Sequence, residues 1–211
     1  MGRIAPPRAS DQTGIQLLRR RDKRLRAIMD RAGPFRVRIV ADPFAALVSS
    51  ILHQQLSMKA AATISGRVLD LCDGRRFTPQ ALGSLSKTQL RAAGLSNQKC
   101  AYVAELCEQF GDGRLSSARL RKLDDEAVIE AVTAVKGIGR WTAEMLLIFC
   151  LRRPDVWPID DLGIRKACQK LLGAAKEPPR DELVALGESW RPHRTIASWY
   201  LWRSVEFKEI A

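Results

Sequence analysis

Val135-Lys136-Gly137-Ile138-Gly139-Arg140-Trp141-Thr142 closes one apolar-periodic segment and opens another. Two glycines around a single apolar residue permit a tight turn with backbone angles that other residues avoid. The segment before the turn begins Asp124-Asp125-Glu126, carboxylates where a helix's positive end favours them. The segment after it starts with its first amides exposed. Free N–H groups at a helix start, added to the dipole, make a ready anion site, and Arg140 stands beside it. The reading is helix, hairpin, helix over about 124–151, with Gly137, Ile138, Gly139, Arg140 and Thr142 facing an anion. An ordinary helix–turn–helix connection would use the same glycines, and GxG alone does not separate the two.

Working outward, the punctuation is almost wholly helical. Asp42-Pro43 pairs an N-cap with Pro at the first helical position and predicts a helix to about Gln54. Ser57 opens another to about Cys72, before the Asp73-Gly74 turn. Thr78-Pro79, Ser86 and Ser96 predict short helices at 79–84, 87–93 and 97–110. Asp160 leads into a helix to Leu172, after an irregular Arg153 to Pro158 loop, and two more follow at about 180–189 and 192–206. Upstream, apolar positions from Gly14 to Ala32 fit one amphipathic helix, closed by Gly33-Pro34. Phe35 to Val40 alternates and is the only strand-like stretch, read as an extended connector. Residues 1–12, with Pro6-Pro7 and no periodicity, read as a flexible basic tail, and 13–211 as one domain. About ten helices, no sheet and no repeat make the fold all-α.

The 211 residues carry 35 Lys+Arg against 23 Asp+Glu, a net charge of +12. Such a balance points to a polyanionic partner. The first 40 residues hold eleven Arg and Lys against three Asp, eight of the twelve net charges. That segment is either a phosphate-binding face or a solvated helix. No apolar run approaches the ~18 residues of a membrane span, and the N-terminus lacks a secretory apolar core, so the chain reads as soluble and intracellular. Five cysteines, widely spaced and without a CxxC pair, read as buried thiols rather than a disulfide framework or metal site.

The stretch VKGIGRWTAEMLLIFCLRRPDVWPIDDLGIRKA, Val135 to Ala167, resembles the helix-hairpin-helix, Gly/Pro-rich loop and aspartate signature of a DNA glycosylase superfamily. GIGRWTA together with PFAALVSSILHQQLSMKAAATI resembles, more narrowly, its alkylation-repair branch, DNA-3-methyladenine glycosylase II. The likeness runs from about Asp42 to Trp202. It implies two helical lobes flanking an active-site cleft, without an additional N-terminal β domain. It implies a monomeric base-excision enzyme that acts on double-stranded DNA containing damaged bases and has no membrane partner. Its place is with the DNA, in the bacterial cytoplasm or a nucleus.

The resemblance also assigns residues. The catalytic aspartate of the family stands three residues before an apolar helix position and five before a basic one. Asp161 meets this with Ile164 and Lys166, which leaves Asp160 as N-cap of the same helix. Bifunctional relatives carry Lys where this chain has Trp141, so no amine is placed to form a Schiff base and the reaction is hydrolysis. Trp141, Met145 and Trp202 match positions of the base pocket, Met145 standing where a relative has Tyr. Trp157, Trp190 and Trp199 are structural. Relatives fill the hole left by a flipped base from the turn that here reads His53-Gln54-Gln55-Leu56-Ser57. Gln55 or Leu56 is the plug, Gln54 a further DNA contact and His53 a polar helix end. No cofactor is required and no iron–sulfur cluster is expected. A monovalent cation, Na+ or K+, on the backbone carbonyls of Thr133, Val135 and Ile138 is implied by likeness alone. The competing readings are a glycosylase for ethenoadenine or hypoxanthine, a helix-hairpin-helix DNA-binding module without activity, and a helical adaptor whose basic segment binds an acidic protein or membrane.

Overall fold

In the computed structural model, which describes residues 3–206, the chain divides into two compact units. One takes residues 40–151. The other joins the N-terminal stretch through Ile39 to the chain from Arg152 onward. Thirteen α-helices lie among the described residues, more than the sequence predicts, and the fold is all-α with one exception.

The exception is a short antiparallel sheet of β1 (Arg3–Ala5) and β2 (Val37–Ile39), with Ile4 opposite Arg38. It corrects two expectations. The described part of the 1–12 tail is structured, since β1 is paired and α1 (Ala9–Arg21) begins inside it, with Asp11 buried against Arg8. The extended Phe35–Val40 connector is half of a sheet. The single helix expected over 14–32 is also two. Asp22 breaks it and caps α2 (Lys23–Ala32), accepting from the Arg24 and Leu25 amides while its other oxygen accepts from Trp190 Nε1 at 3.2 Å.

In the 40–151 unit the caps expected from sequence set the helix starts. Asp42 opens α3 (Pro43–His53), Ser57 opens α4 (Met58–Leu71) and Thr78 opens α5 (Pro79–Gly83). Ser86 forms a capping box with Gln89 on α6 (Lys87–Ala93), and Ser96 opens α7 (Asn97–Gly111). Each such cap is worth about 1 kcal/mol. α8 (Ser117–Lys122) is a six-residue helix that the sequence reading passes over. α9 (Asp125–Thr133) and α10 (Arg140–Phe149) flank the hairpin. α3 is the central helix. It buries Phe44, Leu47, Val48, Ile51 and Leu52 among α4, α7 and α10, which fixes where its C-terminal turn emerges.

In the other unit α11 (Leu162–Leu172), α12 (Arg180–Glu188) and α13 (Arg194–Val205) join α1 and α2. α13 is enclosed on nearly every side, burying Ile196, Ala197, Ser198, Tyr200 and Leu201, as expected of a core helix rather than a surface one. It also staples the Pro-rich loop: Thr195 Oγ1 donates to the Arg153 carbonyl at 2.7 Å and accepts from the Val156 amide at 3.0 Å. Arg194 holds Asp155 from Nε and Nη2, at 2.8 and 3.0 Å. Trp190 is fully buried edge-on to Trp157, and Trp199 is edge-on to Phe35, so these three indoles are structural as expected.

Candidate active site

The hairpin forms as the glycines require. α9 ends at Thr133, Gly137 takes φ +83°, and Gly139 is the N-cap of α10 with no side chain over the amides that follow. A methyl group on Gly137 would lie 2.1 Å from Tyr102 Cδ2, whereas one on Gly139 would meet nothing. Ile138 is buried and anchors the turn. Arg140 is not a loose cation at the anion site. Its guanidinium is 3.1 and 2.6 Å from the two Glu126 oxygens, and Nε reaches the buried Glu144 at 3.3 Å. Thr142 is buried, its hydroxyl 3.5 Å from Ser50 Oγ. The first amides of α10 carry no side-chain cap.

The turn after α3 lies in the same unit. Gln55 adopts φ +56°, and Gln55, Leu56, Ser57 and Met58 are all exposed, Met58 to 78%. The Gln54 side chain turns toward the hairpin, its Nε2 donating to the Gly137 carbonyl at 2.7 Å. Lys99, which the sequence reading does not single out, places Nζ 2.9 Å from the Leu52 carbonyl and 2.8 Å from that of Gln54. Burial pulls its pKa below the ordinary lysine value. His53 is a helix-end residue whose Nδ1 lies 2.7 Å from the Ser49 carbonyl.

Between α3 and α10 lies a cavity of about 640 Å³, within the size range of ligand pockets. Trp141 and Met145 line it, together with Ser49, Ser50 and Phe149, which the sequence reading does not name, and Trp202 is not in the lining. Trp141 is 47% exposed, a large indole left facing outward. The signal for the serines was present in FAALVSSILH, where Ser50 stands one helical turn beyond Leu47 on an otherwise apolar helix.

Asp161 and Trp202 belong to the other unit, and they meet. Asp161 Oδ1 accepts from Trp202 Nε1 at 2.8 Å and from the Ile164 amide at 2.9 Å. Asp161 is thus the N-cap of α11, its carboxylate at the positive end of the helix. The capping role expected of Asp160 falls to its neighbour, since α11 starts at Leu162, after a turn in which the Asp161 amide donates to the Pro158 carbonyl at 3.0 Å. Asp160 instead pairs with Arg180 on the surface. Gly163 makes room: a Cβ there would be 3.0 Å from both Asp161 Oδ1 and Trp202 Cδ1.

The three acids of the basic N-terminal segment are all engaged, Asp11 with Arg8 and Arg152, Asp22 with Trp190 and Asp30 with Arg19. Arg20, Lys23 and Arg26 stay exposed. The five cysteines are free and buried. Burial pushes Cys107 and Cys150 up to about 11 and Cys168 to about 12, so at neutral pH they are thiols, not thiolates. No helix among the described residues is long and apolar enough to cross a membrane.

The hairpin thus leaves the first amides of α10 without a side-chain cap, and a cavity lined by Trp141 and Phe149 lies between α3 and α10. The family model of the HhH-GPD superfamily of base excision DNA repair proteins matches residues 48–192, and the chain belongs to that superfamily. Its relatives narrow this to the alkylation-repair branch. DNA-3-methyladenine glycosylase 1 of Schizosaccharomyces pombe is 35% identical over 189 residues, which cover 89% of this chain and 83% of that protein. The crystal structure of DNA-3-methyladenine glycosidase from Bacillus halodurans superposes with a TM-score of 0.87 at 37% identity, over 97% of this chain and 93% of that one. The S. pombe 3-methyladenine DNA glycosylase Mag1 in complex with abasic DNA follows at TM-score 0.80 and 32% identity, over 90% and 95% of the two chains.

Proposed function

We propose that the protein is a monofunctional DNA N-glycosylase that excises alkylated purines, 3-methyladenine and 7-methylguanine, from duplex DNA in base-excision repair. It acts where the DNA is, in a bacterial nucleoid or a nucleus, and works as a monomer. The observation that carries the reading is the Asp161 carboxylate, oriented by Trp202 and the first turn of α11. Loss of the base builds positive charge on the deoxyribose. A carboxylate fixed before the reaction stabilises that charge without reorganisation and orients the attacking water. A purine alkylated at N3 or N7 is cationic and already a good leaving group, so no general acid is needed. The aromatic face of Trp141 attracts such a cation by about 0.5–2 kcal/mol.

The amides at the start of α10 take a backbone phosphate. A monovalent cation, Na+ or K+, would be held there by the Thr133, Val135 and Ile138 carbonyls and would add positive charge beside that phosphate. The donors suit it: α9 ends at Thr133, where last-turn carbonyls lose their helical partners, and Val135 keeps a second lone pair beyond its bond to the Ile138 amide. Flipping the base leaves a gap in the stack, which the exposed Gln55-Leu56 turn fills.

Two outcomes follow from these roles. Leu56→Ala is expected to slow excision from duplex by about tenfold or more while leaving a single strand nearly unaffected, since only a duplex has a stack to refill. Equal losses on both would remove Leu56 from that role. Borohydride added during turnover is expected to trap no protein–DNA adduct, because position 141 offers an indole rather than an amine. A trapped adduct would make the enzyme a lyase. The substrate assignment is tested with duplexes carrying 3-methyladenine, 7-methylguanine, ethenoadenine or hypoxanthine. Faster release of either of the last two would shift the range to that lesion.

A further inference from the structure

The turn that carries Gln55 and Leu56 is held from two directions, and neither hold involves an exposed side chain of the turn itself. The last carbonyls of a helix lack intrahelical partners and need donors. At the end of α3 those of Leu52 and Gln54 both receive Lys99 Nζ, at 2.9 and 2.8 Å, from α7. Hydrogen bonds from an ammonium group are stronger than neutral ones, so this point of the main chain is firmly placed. The Gln54 side chain then reaches to the Gly137 carbonyl at 2.7 Å, in the middle of the hairpin. Immediately after these anchors Gln55 takes φ +56°. A residue other than glycine keeps that conformation only where its surroundings impose it.

We propose that Gln54 and Lys99 are positioning residues, forming a strut that sets the plug turn relative to the phosphate-binding hairpin, and that Gln54 is not itself a DNA contact. The proposal rests on the reading of the Gln55-Leu56 turn as the element that refills the stack. With the strut in place, a phosphate seated on the hairpin amides fixes how far the plug reaches into the duplex. Without it, the packing of α3 on α10 keeps both elements in place, but the turn beyond the helix loses its anchors and the plug misses its depth. Misplacement of a positioning group by about 1 Å can cost 10²-fold in rate.

The test uses single-turnover release of 7-methylguanine from a duplex and from the same strand unpaired. Gln54→Met keeps the length and removes the donor, and Lys99→Met removes both bonds from ammonium to carbonyl. Each is expected to lower the duplex rate by about 10–100-fold and the single-strand rate by less than about threefold. The double variant is expected to be no worse than the weaker single one, since both act on one turn. Affinity for lesion-free duplex should stay within about twofold. The single-strand rate shows that each variant is folded. Equal losses on both substrates, additive effects in the double variant, or a drop in lesion-free affinity confined to Gln54→Met would each overturn the strut. Failure of the wild type to release base would instead defeat the proposed function.

Discussion

Asp161→Asn is expected to lower single-turnover release of 7-methylguanine by roughly 10²–10³-fold or more, with DNA affinity and folding stability nearly unchanged. The separation is possible because of what surrounds the side chain. Its Oδ1 accepts from the Ile164 amide and from Trp202 Nε1. An asparagine oxygen accepts the same two bonds, and Asn is as good an N-cap as Asp. What the substitution removes is the charge. Asp161→Ala would confuse two effects, since losing the cap costs about 1 kcal/mol in its own right. Excision by the Asn variant within a few-fold of wild type would remove Asp161 from the chemistry. The binding and melting measurements show whether any loss is chemical.

Gly137→Ala is the second large effect, and it is structural first. The position combines φ +83° with a Cβ direction that ends 2.1 Å from Tyr102 Cδ2. The strain of the left-handed region costs about 1–3 kcal/mol for a residue other than glycine, and displacing a packed ring adds about 1–3 kcal/mol. Tyr102 is half-buried and its hydroxyl accepts from Gln98 at 2.5 Å, so moving the ring also breaks that bond. The variant is therefore expected to lose about 2–6 kcal/mol in denaturant unfolding and to bind lesion-free duplex more weakly, the hairpin amides being displaced with it. Gly139→Ala is the control within the same motif. Its φ is −91° and the space around it is open, so its unfolding midpoint should stay close to wild type. Similar destabilisation by both would contradict the assigned roles of the two glycines.

Most of the architecture was legible because its signals are local. Asp42, Ser57, Thr78, Ser86, Ser96 and Asp124 each cap the helix that the sequence places after them. The misreadings share a cause, which is dependence on distant chain. Asp22 looks like one polar position in an amphipathic run, yet it caps α2 with one oxygen while Trp190, 168 residues away, meets the other. Arg3-Ile4-Ala5 is too short to show a period and becomes a strand only by pairing with Val37–Ile39. α8 is too short for its apolar spacing to register.

The site follows the same division. The family pattern singled out Asp161, Trp141 and Trp202, and the structure joins Trp202 to Asp161 through a bond between residues 41 apart that no spacing announces. Of the adjacent acids Asp160 and Asp161, the cap is Asp161 because α11 begins one residue later than the sequence suggests, at Leu162. Gln54 sits in a polar turn where sequence suggests a surface contact, and its partner is the Gly137 carbonyl, 83 residues on.

The most direct test of the central claim is to incubate the protein with methylated duplex DNA and identify the small molecules released by chromatography. Free 3-methyladenine and 7-methylguanine are expected, with strands that stay intact until alkali or heat cleaves the abasic sites. A folded protein that binds the same duplex and releases neither base would contradict it.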